Sequence, residues 1–274
     1  MSIQRLTNIL INSGIEENEA RYEIKLLLEH FFYYTEKDKL KGRVVNQDEI
    51  NLLQEKVFKR INNNIPVQYI IGKTWFVGDY YKVTPDVLIP RDETELLVRK
   101  AIEIINENNY EDVLDIGTGS GCIACSIAKN TNATVLGVDI STDALRIALD
   151  NVTQLGINNR AIFRKSDLFE KIRDGEIFDV IVSNPPYIPY GTELSKEVLQ
   201  EPSLALFANE NGLEFYRKII EKAPDYLNEN GYLMFELGNG EAESVKLLMQ
   251  KSFKNITIER DLANIERIIW GQKK

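Results

Sequence analysis

The sequence predicts an α/β protein in which helices cover a mostly parallel β-sheet and a small helical bundle comes first. From about residue 111 onward, short apolar strand patterns alternate with helical patterns. A glycine-rich turn directly follows the first of these strands, whereas the first 65 residues show only helical periodicity. We therefore expect three regions: a helical bundle at 1–65, a β-hairpin connector at 66–90 and an α/β domain at 91–274.

The N-terminal region contains apolar stripes with helical spacing at 3–10, 20–31 and 50–61. Asn46 and Glu49 have the spacing of a capping box ahead of the third stripe. Such stripes are typical of a packed core, and we interpret the bundle as a substrate-docking domain. Residues 66–90 are rich in aromatic and β-branched types and include Gly72 and Gly78, which indicates a hairpin.

The α/β region is predicted to begin with a helix that Asp92, with Glu95 three residues on, caps. Strands are predicted near 112–115, 134–138, 161–165, 178–183, 231–236, 255–260 and 266–270. Strands that alternate with helices predict a parallel sheet, with ligands bound outside the carboxyl ends of the strands.

A turn with three alternating glycines follows the first strand and comprises Asp115, Ile116, Gly117, Thr118, Gly119, Ser120 and Gly121. Glycines allow the backbone to turn tightly and to approach a ligand closely. The next strand ends in Asp139, where an acid can bind the two hydroxyls of a ribose. This order of strand, turn, helix, strand and acid predicts a site for an adenosine-containing cofactor.

Two residue types distinguish among such cofactors. A dinucleotide fingerprint requires Gly or Ala where Cys122 stands, and Asp115 would be unfavourable beside a pyrophosphate. Asp115 instead suits the ammonium group of S-adenosyl-L-methionine. After the third strand, Asp167 is positioned to accept from the adenine amino group and Leu168 to border the ring, although an isolated Asp167 is more typical of a turn. We predict S-adenosyl-L-methionine as the cofactor.

The strand at 178–183 stops at Asn184, Pro185, Pro186 and Tyr187, because the two prolines prevent its continuation. The side-chain oxygen of Asn184 and a carbonyl beside Pro185 can accept both N–H bonds of a planar –NH2 group. Tyr187 can cover the face of that group, and Pro186 stiffens the turn. Asn184 is also predicted to contact the cofactor. Four such residues could also form a surface turn, so the interpretation depends on the neighbouring cofactor motif.

Together these motifs resemble those of class I methyltransferases. Residues 88–95, Leu-Ile-Pro-Arg-Asp-Glu-Thr-Glu, are similar to the Ile-Pro-Arg-Pro-Glu-Thr-Glu signature of the HemK-type protein glutamine methyltransferases. Shorter similarities occur at 66–72, 76–78, 201–206, 211–213 and 235–238. Three positions depart from the family pattern: Asp92 replaces a proline, Glu241 stands near a usual glutamine, and Asn264 replaces a late glycine.

The resemblance implies a Rossmann-like class I methyltransferase sheet and transfer of a methyl group from S-adenosyl-L-methionine to a glutamine side chain. The expected product of the cofactor is S-adenosyl-L-homocysteine, and the expected substrates are class I peptide chain release factors. Alternatives are a glutamine methyltransferase of a ribosomal protein, a DNA or RNA amino-methyltransferase, and a non-catalytic module that binds the cofactor. A net charge of −9 argues against nucleic acid as the main substrate.

Cys122 and Cys125 form a C-x-x-C pair, but the chain has only these two cysteines and one histidine. We therefore expect packing of the helix after the glycine turn rather than metal binding or redox chemistry. No apolar run reaches the roughly 20 residues needed to cross a bilayer. We expect a cytoplasmic monomer that binds neither a membrane nor a metal.

Overall fold

The structure is a computed structural model that describes residues 2–274, and the chain divides into two compact units. The helical unit comprises Met1–Lys73 together with Leu194–Gln200. The sheet unit comprises Thr74–Glu193 together with Glu201–Lys274. The first division thus falls after Lys73, and a short segment far along the chain belongs with the N-terminal helices.

The helical unit contains α1 (Ile3–Asn12), α2 (Glu17–Phe32), α3 (Glu36–Leu40), α4 (Gln47–Asn63) and α5 (Val67–Ile71). The capping box predicted before α4 is confirmed, since Asn46 Oδ1 accepts from the Glu49 backbone N–H at 3.0 Å and Glu49 Oε2 accepts from the Asn46 N–H at 2.8 Å. The core contains apolar residues from the predicted stripes, including Leu6, Leu10, Leu27, Leu53 and Val57.

A buried ion group lies inside the helical unit. The guanidinium of Arg60 on α4 contacts Glu23 on α2, with Nη2 2.9 Å from Oε1. The same nitrogen is 2.5 Å from Glu197 Oε2, in the segment Leu194–Gln200. This contact links the late segment to the N-terminal helices through charge as well as packing.

The sheet unit contains the remaining elements. Its helices are α6 (Asp92–Asn108), α7 (Cys122–Asn130), α8 (Thr142–Leu155), α9 (Ser203–Leu206), α10 (Glu214–Tyr226) and α11 (Ala242–Met249). The central strands are β3 (Asp112–Ile116), β4 (Thr134–Asp139), β5 (Ala161–Lys165), β6 (Phe178–Ser183), β9 (Leu227–Glu236), β10 (Phe253–Arg260) and β11 (Glu266–Lys273). Two small sheets pair β1 (Lys73–Phe76) with β2 (Asp79–Lys82), and β7 (Ile188–Pro189) with β8 (Phe207–Ala208).

The seven central strands are ordered β10-β11-β9-β6-β3-β4-β5. Only β11 is antiparallel to its neighbours, which confirms the predicted mostly parallel sheet. Strand β9 begins at Leu227, earlier than predicted, because Leu227 pairs with Phe178 although the polar residues that follow are typical of a turn. Strand order reverses between β3 and β6, where Ile116 pairs with Ser183.

Apolar side chains fill both faces of the sheet. One layer packs α6 and α7 against the sheet and includes Cys122 and Cys125, whose thiols are free and buried. Burial raises the pKa of the Cys122 thiol to about 12, so it stays protonated at neutral pH. Within residues 2–274 no group of three or more His, Cys, Asp or Glu side chains is arranged to hold a metal ion. None of the helices in that range has the length and apolar composition to cross a bilayer.

The predicted cap of α6 is wrong. Arg91, with extended backbone angles, precedes the helix, and Asp92 is its first residue and is exposed. The Arg91 side chain pairs with Glu201 instead of capping. Glu95 accepts a hydrogen bond from the Val77 backbone N–H at 2.8 Å, which ties α6 to the turn between β1 and β2.

Candidate active site

The glycine turn after β3 is held against the end of β4. The backbone N–H groups of Gly117 and Thr118 both donate to the Val138 carbonyl, at 2.9 and 3.0 Å. The Gly119 N–H donates to Asp139 Oδ2 at 2.9 Å. At Gly137 a Cβ atom would lie 2.7 Å from Thr118 Oγ1, so this close approach requires glycine. The predicted loop and the predicted ribose acid therefore lie together.

Asp115 is completely buried at the end of β3. Its Oδ2 accepts from the Thr118 hydroxyl at 2.6 Å, while Oδ1 has no hydrogen-bond partner among residues 2–274. Burial raises the pKa of this carboxyl to about 7. A buried oxygen that lacks a donor fits a cationic ligand group such as an ammonium.

Asp139 lies at the end of β4 with a backbone donor on each oxygen. Oδ1 accepts from the Ser141 N–H at 2.8 Å and Oδ2 from the Gly119 N–H. These bonds fix the carboxylate and leave further lone pairs for ligand hydroxyls. Burial raises the pKa of Asp139 above its ordinary value.

The turn after β5 is connected to the same sheet edge, because the Ser166 N–H donates to the Asp139 carbonyl at 3.0 Å. Asp167 is exposed, and Leu168 adopts a left-handed backbone conformation with φ of 46°. The Ser166 hydroxyl stabilises this conformation by donating to the Leu168 carbonyl at 2.8 Å. Both residues thus lie beside the end of β4, as the motif order predicts.

The Asn-Pro-Pro-Tyr turn follows β6, the neighbour of β3. The Ser183 hydroxyl donates to the Ile116 carbonyl at 2.7 Å. The Asn-Pro-Pro-Tyr turn and the glycine turn therefore begin side by side at the same edge of the sheet. Pro185 is buried, while Pro186 and Tyr187 are half-buried. A Cβ at Gly238 would lie 2.9 Å from Tyr187 Cδ2, so the glycine allows the backbone to pack against this ring.

The side chain of Asn184 is held by two residues that the sequence analysis did not single out as site residues. Its Nδ2 donates to Thr94 Oγ1 at 3.2 Å, and Thr94 Oγ1 donates to Glu236 Oε2 at 2.6 Å. Glu236, the last residue of β9, is buried, which raises its pKa to about 7. The sequence signal that could have identified Glu236 is its place directly after the apolar run 232–235.

Further contacts around the site involve Glu201 and Glu241. Glu201 Oε2 accepts from the Ile89 N–H at 3.0 Å, and Oε1 pairs with Arg91, which fixes the segment before α6. Glu241 Oε2 accepts from the Gly238 N–H at 2.9 Å, and burial raises the pKa of Glu241 to about 7. Both acids were noted in the sequence, but their hydrogen-bond and ion-pair partners could not be predicted from it.

Comparison with known proteins identifies related sequences along nearly the whole chain. A family model described as a methyltransferase domain matches residues 107–273. A release factor glutamine methyltransferase from Flavobacterium psychrophilum is 39% identical over 94% of this chain and 93% of its own length. The protein of the same name from Bacillus subtilis is 37% identical, with coverage of 96% and 93%. That from Geobacter sulfurreducens is 38% identical, with coverage of 96% and 92%.

Solved structures with low sequence identity share the fold. A methyltransferase from Pyrococcus furiosus aligns with a TM-score of 0.53 at 21% identity, covering 70% of this chain and 88% of that one. A 16S rRNA N2 G1207 methyltransferase from Thermus thermophilus, in complex with AdoMet and guanosine, gives 0.54 at 18% identity, covering 74% and 50%. These likenesses confirm the Rossmann-like methyltransferase architecture.

Proposed function

Because this chain belongs to the release factor glutamine methyltransferase family, we propose that it methylates a glutamine side-chain amide in a class I peptide chain release factor, with S-adenosyl-L-methionine as the methyl donor. The observation that carries the proposal is the position of Asn184. Its Nδ2 is bonded to Thr94, its Oδ1 accepts no hydrogen bond within residues 2–274, and it follows a strand adjacent to the glycine turn. A free amide oxygen there can accept an N–H of a substrate amide.

The residues present fit the proposed cofactor. Asp115 Oδ1 offers the buried acceptor that an ammonium group needs, and Asp139 offers a fixed carboxylate for ribose hydroxyls. The loop that contains Gly117, Thr118, Gly119, Ser120 and Gly121 provides close backbone approach, with Asp167 and Leu168 available for the adenine ring. The bound cofactor supplies an electrophilic methyl group on a sulfonium.

The proposed roles in the Asn-Pro-Pro-Tyr turn concern the substrate amide. Asn184 Oδ1 and the Pro185 carbonyl accept its two N–H bonds, which orients the nitrogen lone pair and stabilises the charge that develops there. Tyr187 packs on the amide, and Pro186 keeps the turn stiff. Alignment of this kind contributes up to about 7–11 kcal/mol when the geometry is near ideal. The amide nitrogen releases one proton to water after methylation, so the chain needs no strong base.

Methyl-transfer assays with several acceptors test the proposed substrate. Tritium-labelled cofactor is incubated with a purified release factor, with ribosomal proteins and with RNA, and mass spectrometry locates the modified residue. We expect label on one glutamine of the release factor and none once that glutamine is replaced by alanine. Preferential labelling of a ribosomal protein or of RNA would establish an alternative substrate, and binding without any transfer would indicate a non-catalytic module.

Asn184→Ala tests the proposed amide-binding turn. We expect methyl transfer to fall by about 100-fold or more, as when one fixed polar group is removed from other active sites. Cofactor affinity, measured by calorimetry, should stay within about threefold because other residues hold the cofactor. Asn106→Ala, at an exposed position on α6, is the matched control and should behave like the unaltered protein. Near-normal transfer by Asn184→Ala would contradict the role of the turn.

A further inference from the structure

Asn184, Thr94 and Glu236 form a hydrogen-bonded chain that joins three separate elements. Asn184 follows β6, Thr94 is on α6, and Glu236 ends β9. The Asn184 Nδ2 to Thr94 Oγ1 distance is 3.2 Å, and the Thr94 Oγ1 to Glu236 Oε2 distance is 2.6 Å. Thr94 and Glu236 are each 2% exposed, so water does not compete freely for these contacts.

The chemistry of the three groups gives this chain of hydrogen bonds a direction. Above its raised pKa of about 7 the Glu236 carboxylate is mainly ionised and can only accept, so the single hydroxyl proton of Thr94 goes to Glu236. Thr94 Oγ1 then offers only lone pairs to Asn184, which must present its –NH2 end. The two ends of an asparagine amide have nearly the same shape, and the hydrogen-bond network determines which end points where.

We propose that Thr94 and Glu236 are positioning residues that hold the Asn184 amide in the one orientation in which Oδ1 faces the substrate. The inference rests on the proposed function, because an acceptor facing the substrate matters only if the substrate presents N–H groups. In the opposite orientation Nδ2 would face the substrate N–H, and two donors would oppose each other. The contact with Thr94 thus selects between a productive and an unproductive state of the same side chain.

Thr94→Val and Thr94→Ser test the proposed positioning role of Thr94. Valine has nearly the shape of threonine without the hydroxyl, whereas serine keeps it. We expect Thr94→Val to lower kcat at least about tenfold, the size of effect typical for loss of a buried hydrogen bond. KM for the release factor and affinity for S-adenosyl-L-homocysteine should change by less than about threefold. Thr94→Ser should retain kcat within about threefold, and equal kcat for Thr94→Val and the unaltered protein would overturn the proposal.

Nuclear magnetic resonance provides a readout that does not depend on catalysis. The side-chain –NH2 signals of Asn184 are assigned as those absent from the Asn184→Ala spectrum. Their hydrogen exchange should be slow in the unaltered protein and in Thr94→Ser, and faster in Thr94→Val, because Nδ2 donates to the Thr94 hydroxyl oxygen. Exchange that is unaffected by Thr94→Val would refute the proposed positioning of Asn184 by Thr94. If Thr94→Val does not fold, Thr94→Ala removes the same hydroxyl without placing a methyl group against Glu236.

The two levels of the proposal fail in different ways. If the protein labels no release factor but shows the expected exchange pattern, the proposed function is contradicted and the positioning of Asn184 by Thr94 is supported. If Thr94→Val labels the release factor as well as the unaltered protein does, the positioning role of Thr94 is contradicted and the proposed function is supported.

Discussion

Asp115 combines complete burial with an oxygen that has no donor within residues 2–274, and this combination is costly unless a ligand compensates. Burial raises its pKa to about 7, so near neutral pH the carboxyl is partly protonated before any ligand binds. An ammonium bound at Oδ1 would favour the ionised form and lower this pKa. Binding of the proposed cofactor should therefore release a proton below pH 7.

A proton linkage of this kind predicts how cofactor affinity depends on pH. Because the ionised form of Asp115 binds the ammonium, affinity should rise by up to about tenfold per pH unit between about pH 5.5 and 7. Higher pH is avoided because an α-amino group itself loses its proton near about 7.7–8.0. Isothermal calorimetry in buffers of different ionisation enthalpy measures both affinity and proton release. Asp115→Asn should bind weakly with a smaller pH dependence, and an unchanged pH profile would exclude Asp115 as the group responsible.

At the scale of secondary-structure elements, the turn at Gly212 determines how closely the chain packs against Tyr187. Gly212 has φ of 95°, and a Cβ there would collide with the Tyr187 carbonyl and with Glu241 Oε1. The segment before α10 therefore buttresses the Asn-Pro-Pro-Tyr turn through backbone contact. Only glycine satisfies both the left-handed conformation and the close approach.

Gly212→Ala should displace the Tyr187 backbone and lower methyl transfer by at least about tenfold, because a small misplacement of reacting groups is sufficient for such a loss. Gly175→Ala is the matched control, since Gly175 also has a positive φ, of 85°, but a Cβ there would meet nothing within 4 Å beyond its chain neighbours. Both variants should lose about 1 kcal/mol of stability from backbone strain. Thermal unfolding and methyl-transfer assays distinguish them. Equal activity in the two variants would contradict the proposed support of the Asn-Pro-Pro-Tyr turn by the segment at Gly212.

Some of these elements could be predicted from the sequence, and others could not. Most central strands were located correctly because each contains a short apolar run, and the glycine turn and the Asn-Pro-Pro-Tyr turn were recognised from their residue types after two of these runs. The Thr94–Glu236 contact was not predictable, since it exists only because α6 packs against β9 in the folded protein. The proposed cap at Asp92 failed because the extended residue before α6 is Arg91.

At the scale of the whole molecule, the helical unit depends on a buried charge group. The side chains of Arg60 and Glu23 are 5% and 3% exposed, and Glu197 of the late segment completes the group. A buried ion pair adds little net stability, but removal of one partner leaves an uncompensated charge. Arg60 therefore has more influence on this unit than a surface arginine.

Arg60→Met should destabilise the helical unit by about 3–5 kcal/mol because two carboxylates lose their partner. Hydrogen exchange of amides in α2 and α4 measures this locally, and those amides should exchange about 100-fold faster or more. Arg21→Met is the control, since Arg21 pairs with Glu17 at an exposed site of α2 and should cost less than about 1 kcal/mol. Similar exchange in the two variants would show that burial of Arg60 is unimportant.

The late segment Leu194–Gln200 has a consequence for biosynthesis. In a chain made from its N-terminus on the ribosome, β3, β4, β5 and β6 all precede Glu197. A nascent chain that stops before residue 194 carries Arg60 and Glu23 without their third member. Although N-terminal parts generally fold first during synthesis, the helical unit can reach its final form only after four strands of the parallel sheet have been made.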